Sequence, residues 1–272
     1  MKQLLPTTLL RTAVTVALGL AVTLQTVPAR AESPYETDRS QEWLWLGTGL
    51  TLSVGGWVAT HQIDPLTPEQ LQALSTDDIN SFDRRTMHAF RDDHSGDALG
   101  VGSFLIPLAF LTNDDMRDDA GTLGTMWVEA TAWAEGLAQV SKAIAKRTRP
   151  YAYDPDAPSE LKTKAEARVS FYSAHATSAA MNCFFMAKVF SDYSDNHNAE
   201  IAMWTGAVLY PALTGFFRVE SGHHFTTDAI TGVVVGAAVG YLVPALHKRN
   251  DSVSVEPQSG GGGASFTATF SF

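Results

Sequence analysis

The chain has 272 residues, with 19 Lys and Arg against 29 Asp and Glu and a formal charge of −10. That length holds one large domain or two small ones with ample sequence for a buried core. Charged residues at 18% beside 10% aromatics exclude a disordered polyelectrolyte, and the acid excess excludes a general nucleic-acid binder. The single cysteine, Cys183, excludes an intrachain disulfide framework and a Cys-rich zinc site, and reads as a small buried hydrophobe.

Residues 1–31 read as an export signal. Lys2 and Arg11 give a positive start, Thr12 to Val27 form an apolar stretch, and Ala29-Arg30-Ala31 supplies the small-x-small pattern of a cleavage site. The other reading is an uncleaved anchor. Cleavage after Ala31 removes three cations and no acid, so the mature chain is more acidic still. An acidic, cysteine-poor exported chain suits a bacterial periplasm or cell envelope.

Six apolar segments of helical length follow: Trp43–Thr60, Leu99–Thr112, Thr122–Lys146, Ser173–Phe190, Ile201–Phe217 and Thr226–His247. They predict an all-α bundle of about six core helices over residues 32–250 rather than an α/β sheet. Between the first two lies a polar, acid-rich excursion, Gln62–Asp97, predicted to carry one or two short helices capped by Thr67 or Ser75. Residues 251–272 differ from the rest. The glycine run Gly260–Gly263 and the alternating Ala264–Phe272 suit a β-hairpin or one exposed strand. One or two strands cannot close an outer-membrane barrel.

Trp43–Ala59 and Ala229–Leu246 are nearly long enough to cross a membrane. Glu129 and Glu135 interrupt the third segment, a costly choice in lipid unless both face the bundle interior. The linkers Thr112–Ala120 and Ser191–Glu200 are acidic and give no positive-inside signal. A soluble bundle with an apolar interior is therefore favoured over an integral inner-membrane protein.

Three clusters carry the chemistry. In Lys142-Ala-Ile-Ala-Lys146-Arg147-Thr-Arg149-Pro150, the spacing of seven predicts Lys142 and Arg149 on one helix face, with Lys146 between them. Pro150 ends the helix near Arg149. A basic run here can simply cap a helix dipole. Yet seven cations gather between Lys142 and Arg168 in an otherwise acidic chain, which points to a bound anion.

In Phe171-Tyr172-Ser173-Ala174-His175, Ser173 is a natural N-cap, and free N–H groups at a helix start bind oxyanions. His175 then falls in the first turn, within reach of such a ligand. The third cluster runs Arg218-Val-Glu-Ser-Gly222-His223-His224-Phe-Thr-Thr-Asp228, with Arg218 on the connection. The spacing of four predicts His224 and Asp228 on one face of the helix they open, the carboxylate fixing the imidazole tautomer. A metal-binding pair is the other reading of His223 and His224, but no third ligand stands at a convincing spacing. His223 itself reads as a neighbour without a chemical role.

Taken together, Lys-x6-Arg-Pro, Ser-x-His and Arg-x5-His-x3-Asp occur in that order. This closely resembles the signature of the superfamily that joins type-2 phosphatidate phosphatases, bacterial non-specific acid phosphatases and vanadium haloperoxidases, over roughly residues 99–247. The resemblance implies an all-helical core with the site at helix ends, and a metal-independent phosphatase of phosphate monoesters working through a phosphohistidine. It implies that Lys142, Arg149, Arg218, Ser173 and the Ala174 N–H bind phosphate oxygens. His224 would be the nucleophile, Asp228 its support, and His175 the general acid. No cofactor or metal is implied. Vanadate is expected as an inhibitor or, for a haloperoxidase, as cofactor. The expected partner is a phosphorylated lipid or small molecule, with membrane contact and no nucleic acid.

Two positions depart from the family pattern. The second motif usually reads Pro-Ser-Gly-His and here reads Tyr172-Ser173-Ala174-His175; the third usually begins Ser-Arg and here begins Phe217-Arg218. If position 174 needs positive φ, its methyl costs on the order of 1 kcal/mol. If φ stays negative, Ala174 still presents its N–H. Two other functions stand beside the phosphatase: a vanadate-dependent haloperoxidase, for which the chain is short, and a non-catalytic binder of phosphate or lipid head groups. The connection Tyr151–Val169 is predicted to cover the site, with Tyr151, Tyr153 and Leu161 offered to an apolar substrate tail.

Overall fold

A computed structural model of the protein describes residues 33–37 and 39–249, without the side chains of 39–41. The expected signal, residues 1–31, lies outside them. Past residue 249 the description is limited to a backbone ladder of Ser254–Gly260 against Gly263–Thr269, so the hairpin tail stays an expectation.

The described fold is mostly helical. Six helices carry it: α1 (Arg39–His61), α2 (Ser95–Gly102), α3 (Ala120–Ala145), α4 (Ala174–Tyr193), α5 (His197–Glu220) and α6 (Thr226–Leu246). Five match the predicted segments closely. The second does not form one helix. It begins earlier, at Ser95, and after Gly102 continues only as the 3-10 turns Ser103–Leu105 and Pro107–Thr112. Gly100 and Gly102 are poor helix formers, and the Pro107 ring lacks the N–H that a continuing helix would use.

The core lies between α3 and α4, where Leu123, Met126, Ala130 and Ala134 meet Met181, Phe185, Met186 and Val189. Cys183 is buried beside Ala187 and Ala207, as its composition context predicts. Helix α6 packs on α4 almost backbone to backbone. Its Gly232, Gly236 and Gly240 recur every four residues on one face, and a Cβ added at Gly236 would stand 2.2 Å from the Thr177 carbonyl oxygen. Only glycine permits that approach. It brings the start of α4 onto the start of α6, where the Ser173 N–H donates to the Asp228 carbonyl at 3.1 Å.

The acid-rich excursion folds as predicted and goes further. Thr67 caps Pro68–Gln72 through a reciprocal pair with Gln70, and Ser75 caps Thr76–Asp78. A third turn, Ser81–Arg85, buries Asp83 completely.

Glu129 and Glu135 both face inward. Glu129 is 3% exposed, and Glu135 accepts from the Ser178 hydroxyl at 2.6 Å. The outside is strongly apolar all the same. Trp43, Leu44 and Val54 on α1, Leu209 and Phe216 on α5, and Val234 and Leu246 on α6 are exposed. By length and composition the stretches Ser95–Thr112 and Thr226–Leu246 are long and apolar enough to cross a membrane.

Candidate active site

Helix α3 stops earlier than the motif spacing implies. Lys146 is its C-cap in the left-handed region, φ 44°, and is exposed. Arg149 is therefore not two turns along the same face. It is extended, φ −76° and ψ 153°, as a residue before proline tends to be. Backbone carbonyls aim it instead: Nε donates to Glu166 O at 2.8 Å and Nη1 to His223 O at 3.1 Å. Its Nη1 also lies 3.4 Å from His224 Nε2. Lys142 remains on the last turn of α3 and is buried.

The seven gathered cations do not form a single anion site. Lys142 and Arg149 act on His224, Arg147 pairs with carboxylates, and Arg168 donates to Asp64 O at 3.1 Å. Lys162 donates to Pro155 O at 3.2 Å, whereas Lys146 and Lys164 are exposed.

Ser173 is the N-cap of α4, buried, with Oγ accepting from Ala176 N–H at 3.4 Å. Ala174 opens the helix. Among the described residues Lys146 is the only non-glycine with positive φ, so the Ala174 methyl carries no left-handed strain. His175, in the first turn, places Nε2 3.3 Å from Asp97 Oδ1.

Arg218 lies in the last turn of α5 rather than on the connection, and is 3% exposed. It pairs with the same Asp97 oxygen, and its Nε is buried without a hydrogen-bond partner. The chain then turns through Gly222, φ +70°. His224 precedes the N-cap Phe225, so it is not on α6, and the helical argument for the His224–Asp228 pair does not hold. His224 Nδ1 stands 3.7 Å from Asp228 Oδ2, beyond hydrogen-bond range, and has no other partner. Asp228 is held by three donors: Phe225 N–H at 3.0 Å, Ser170 Oγ at 2.5 Å and Arg147 Nη1 at 2.6 Å.

The electrostatics follow from burial and crowding. Burial, then the charges of Arg149, Arg218 and Lys142, drive the His224 pKa well below its ordinary value, so the imidazole is neutral. Burial and Arg149 push Lys142 down to about 8 and Arg218 down to about 10. Burial and Arg218 lower His175 to about 4, while Asp97 opposes the shift. Cations that repel one another around a neutral ring nitrogen can hold an anion between them.

Four residues here escape the motif reading: Asp97, Asp83, Arg147 and Ser170. Asp97 joins Arg218 to His175, and α2 can come this close because a Cβ at Gly96 or Gly100 would stand 2.6 Å from the Arg218 or His175 side chain. Arg147 bridges Asp83 at 2.7 Å and Asp228 at 2.6 Å. Its place in the basic run was a signal, but not of this role. The Tyr151–Val169 connection does touch the site through Glu166 O and through Ala167 O, which accepts from Arg149 N–H. Tyr151 is not offered to a ligand. It is buried with Leu66, Ala152 and Ala157, its ring edge against His223. His223 supplies its carbonyl to Arg149, and among the described residues it joins no metal-ligand group with His224 and Asp228.

An all-helical domain with buried cations around a neutral histidine can accommodate an anion such as phosphate. The PAP2 superfamily model matches residues 124–252, and over that stretch, which holds all three motif clusters, the chain is similar to that superfamily. That match supports phosphatase-type activity in general. No curated protein and no solved structure matches the chain.

Proposed function

We infer that the protein is a metal-independent phosphatase of the cell envelope, hydrolysing phosphate monoesters of lipids or small soluble molecules. The observation that carries this reading is the charge around His224. Lys142, Arg149 and Arg218 all act on its neutral imidazole, and Arg218 Nε and His224 Nδ1 are buried without hydrogen bonds. A phosphate dianion would relieve that repulsion and supply acceptors.

In the reaction the His224 Nε2 lone pair attacks phosphorus and the ester P–O bond breaks. Arg149, Lys142 and Arg218 stabilise the charge that builds on the equatorial oxygens, with the Ser173 hydroxyl and Ala174 N–H adding hydrogen bonds. His175, made basic enough to hold a proton by the bound dianion and Asp97, protonates the leaving oxygen. A water then gives its proton to His175 and attacks the phosphohistidine, releasing phosphate and restoring both rings. Asp228, fixed by Arg147, offsets the positive charge that His224 gains.

Export through residues 1–31 and the apolar exteriors of α1, α5 and α6 support membrane contact, and with it a lipid phosphate as one substrate class. Vanadate is expected to bind as an inhibitor, since it mimics the five-coordinate phosphorus. The test is phosphate release by the purified protein from p-nitrophenyl phosphate and from phosphatidate in detergent, each with and without vanadate. Vanadate-sensitive release supports the reading, and the two substrates separate lipid from soluble preference. Halide oxidation on adding vanadate, or phosphate binding without turnover, would replace it.

A further inference from the structure

A second cluster of ionisable groups lies far from the phosphate site. His247, the C-cap of α6, meets Glu42 from the first turn of α1 and Glu129 from the middle of α3. Glu129 and Lys142 are thirteen residues apart on α3, about 20 Å along the axis at 1.5 Å per residue. The two sites are separate.

His247 Nε2 is 2.8 Å from Glu42 Oε1 and 3.4 Å from Glu129 Oε2, and one ligand atom from each of the three groups falls within 4.8 Å of the others. The side chains are 10%, 13% and 3% exposed. His247 Nδ1 lies 2.7 Å from the Val243 carbonyl oxygen. A carbonyl only accepts, so Nδ1 carries a hydrogen, and Nε2 is the nitrogen turned to the carboxylates. A metal-binding histidine has this arrangement, its second nitrogen donating to a backbone carbonyl.

Glu42 and Glu129 meet each other and His247, yet one oxygen of each is left over. Glu42 Oε2 and Glu129 Oε2 are buried without a hydrogen bond, and among the described residues the ion pairs of both glutamates go only to His247. The two carboxyl groups lie against each other as well as against one imidazole, and a second negative charge held there is costly away from water. The spacing offers the remedy. Ligands bonded at about 2.1 Å around a tetrahedral ion stand about 3.4 Å apart. One imidazole nitrogen with two carboxylates suits zinc or manganese better than a soft ion.

We propose that Glu42, Glu129 and His247 form a structural site for a divalent transition metal of the zinc class, stapling the start of α1 and the end of α6 to the middle of α3. Three protein ligands leave a fourth position for water. The ion takes no part in phosphate chemistry.

The test uses purified full-length protein stripped with a chelator and titrated with Zn2+ by calorimetry, with thermal unfolding followed in parallel at pH 7.5. One Zn2+ per chain and a Tm rise of several degrees are expected. Glu42→Gln, at the partly exposed end of the cluster, and Glu129→Gln should each weaken binding about tenfold or more. His224→Ala should leave it unchanged. If one variant fails to fold by circular dichroism, the other still decides. Zinc binding that survives both glutamine variants, or is lost in His224→Ala, overturns the site. So does the absence of zinc binding in a protein that gains stability as pH falls, because a proton shared by the three groups would then hold the cluster.

Discussion

Arg147 holds Asp228 and Asp83 with one guanidinium, Nη1 at 2.6 Å from Asp228 Oδ1 and Nη2 at 2.7 Å from Asp83 Oδ2. The residue expected to steady the nucleophilic histidine is thus itself steadied, by a cation bound to two carboxylates and by an aspartate from the acid-rich excursion. Asp83 also accepts from Thr227 N–H and Oγ1, so the start of α6 is tied to the segment that precedes α2.

Removing that guanidinium leaves two fully buried carboxylates without their counter-ion. Arg147→Met is expected to destabilise the protein by about 3 kcal/mol in urea unfolding. In the protein that remains folded, kcat should fall while KM changes little, because Arg147 touches no substrate in the proposed mechanism. An Arg147→Met, Asp83→Asn double mutant should cost less than the two single losses added together. Additive losses would show that the bridge is not one unit.

Lys142 gives a stability test with a definite sign. Its pKa is about 8 in the folded chain against 10.5 when free, the shift coming from burial and then from Arg149. Between those values the unfolded chain binds more protons, so this group makes stability rise with pH from about 8 to 10.5, and below 8 the charged lysine costs stability. Lys142→Met should therefore raise the Tm of the free protein at pH 7 and reduce the Tm gain caused by vanadate. A lower Tm with an undiminished vanadate effect would remove Lys142 from the anion site.

His175 is separable from His224 by leaving group. If it protonates the departing oxygen, His175→Asn should cost about 100-fold or more in kcat for an alkyl phosphate. The loss should be much smaller for p-nitrophenyl phosphate, whose leaving group departs without a proton. Equal losses on both substrates would assign His175 to binding or to the water step.

The close approach of α6 to α4 predicts that Gly236→Ala is severe. Its new Cβ would meet the Thr177 carbonyl, a backbone atom that cannot swing aside. A loss of about 2 kcal/mol or more is expected by urea unfolding. By contrast, Ala174→Gly should change activity little, because position 174 already has negative φ.

The sequence made the helices legible because each carries an apolar run of the right length, and it made Ser173 legible because a cap needs a particular oxygen at a particular place. Spacing misleads where the helix it implies does not continue. Lys142 and Arg149 converge although the helix ends between them, and His224 and Asp228 approach although only one is helical. Asp83 and Asp97 were hidden for a different reason. In an acid-rich stretch an aspartate tied into ion pairs and a solvated one look alike, and only the packing of α2 and the Ser81–Arg85 turn tells them apart. The glycines of α6 were visible as composition, but their common role appears only when the carbonyls of α4 stand opposite them.

The most direct measurement is to trap the covalent intermediate. Labelled substrate mixed with excess protein and quenched in alkali should leave phosphate on the chain, stable in base and released by acid, mapping to His224. His224→Ala should carry no label and release no phosphate. Undiminished hydrolysis by His224→Ala, or label that maps to another side chain, would contradict the account.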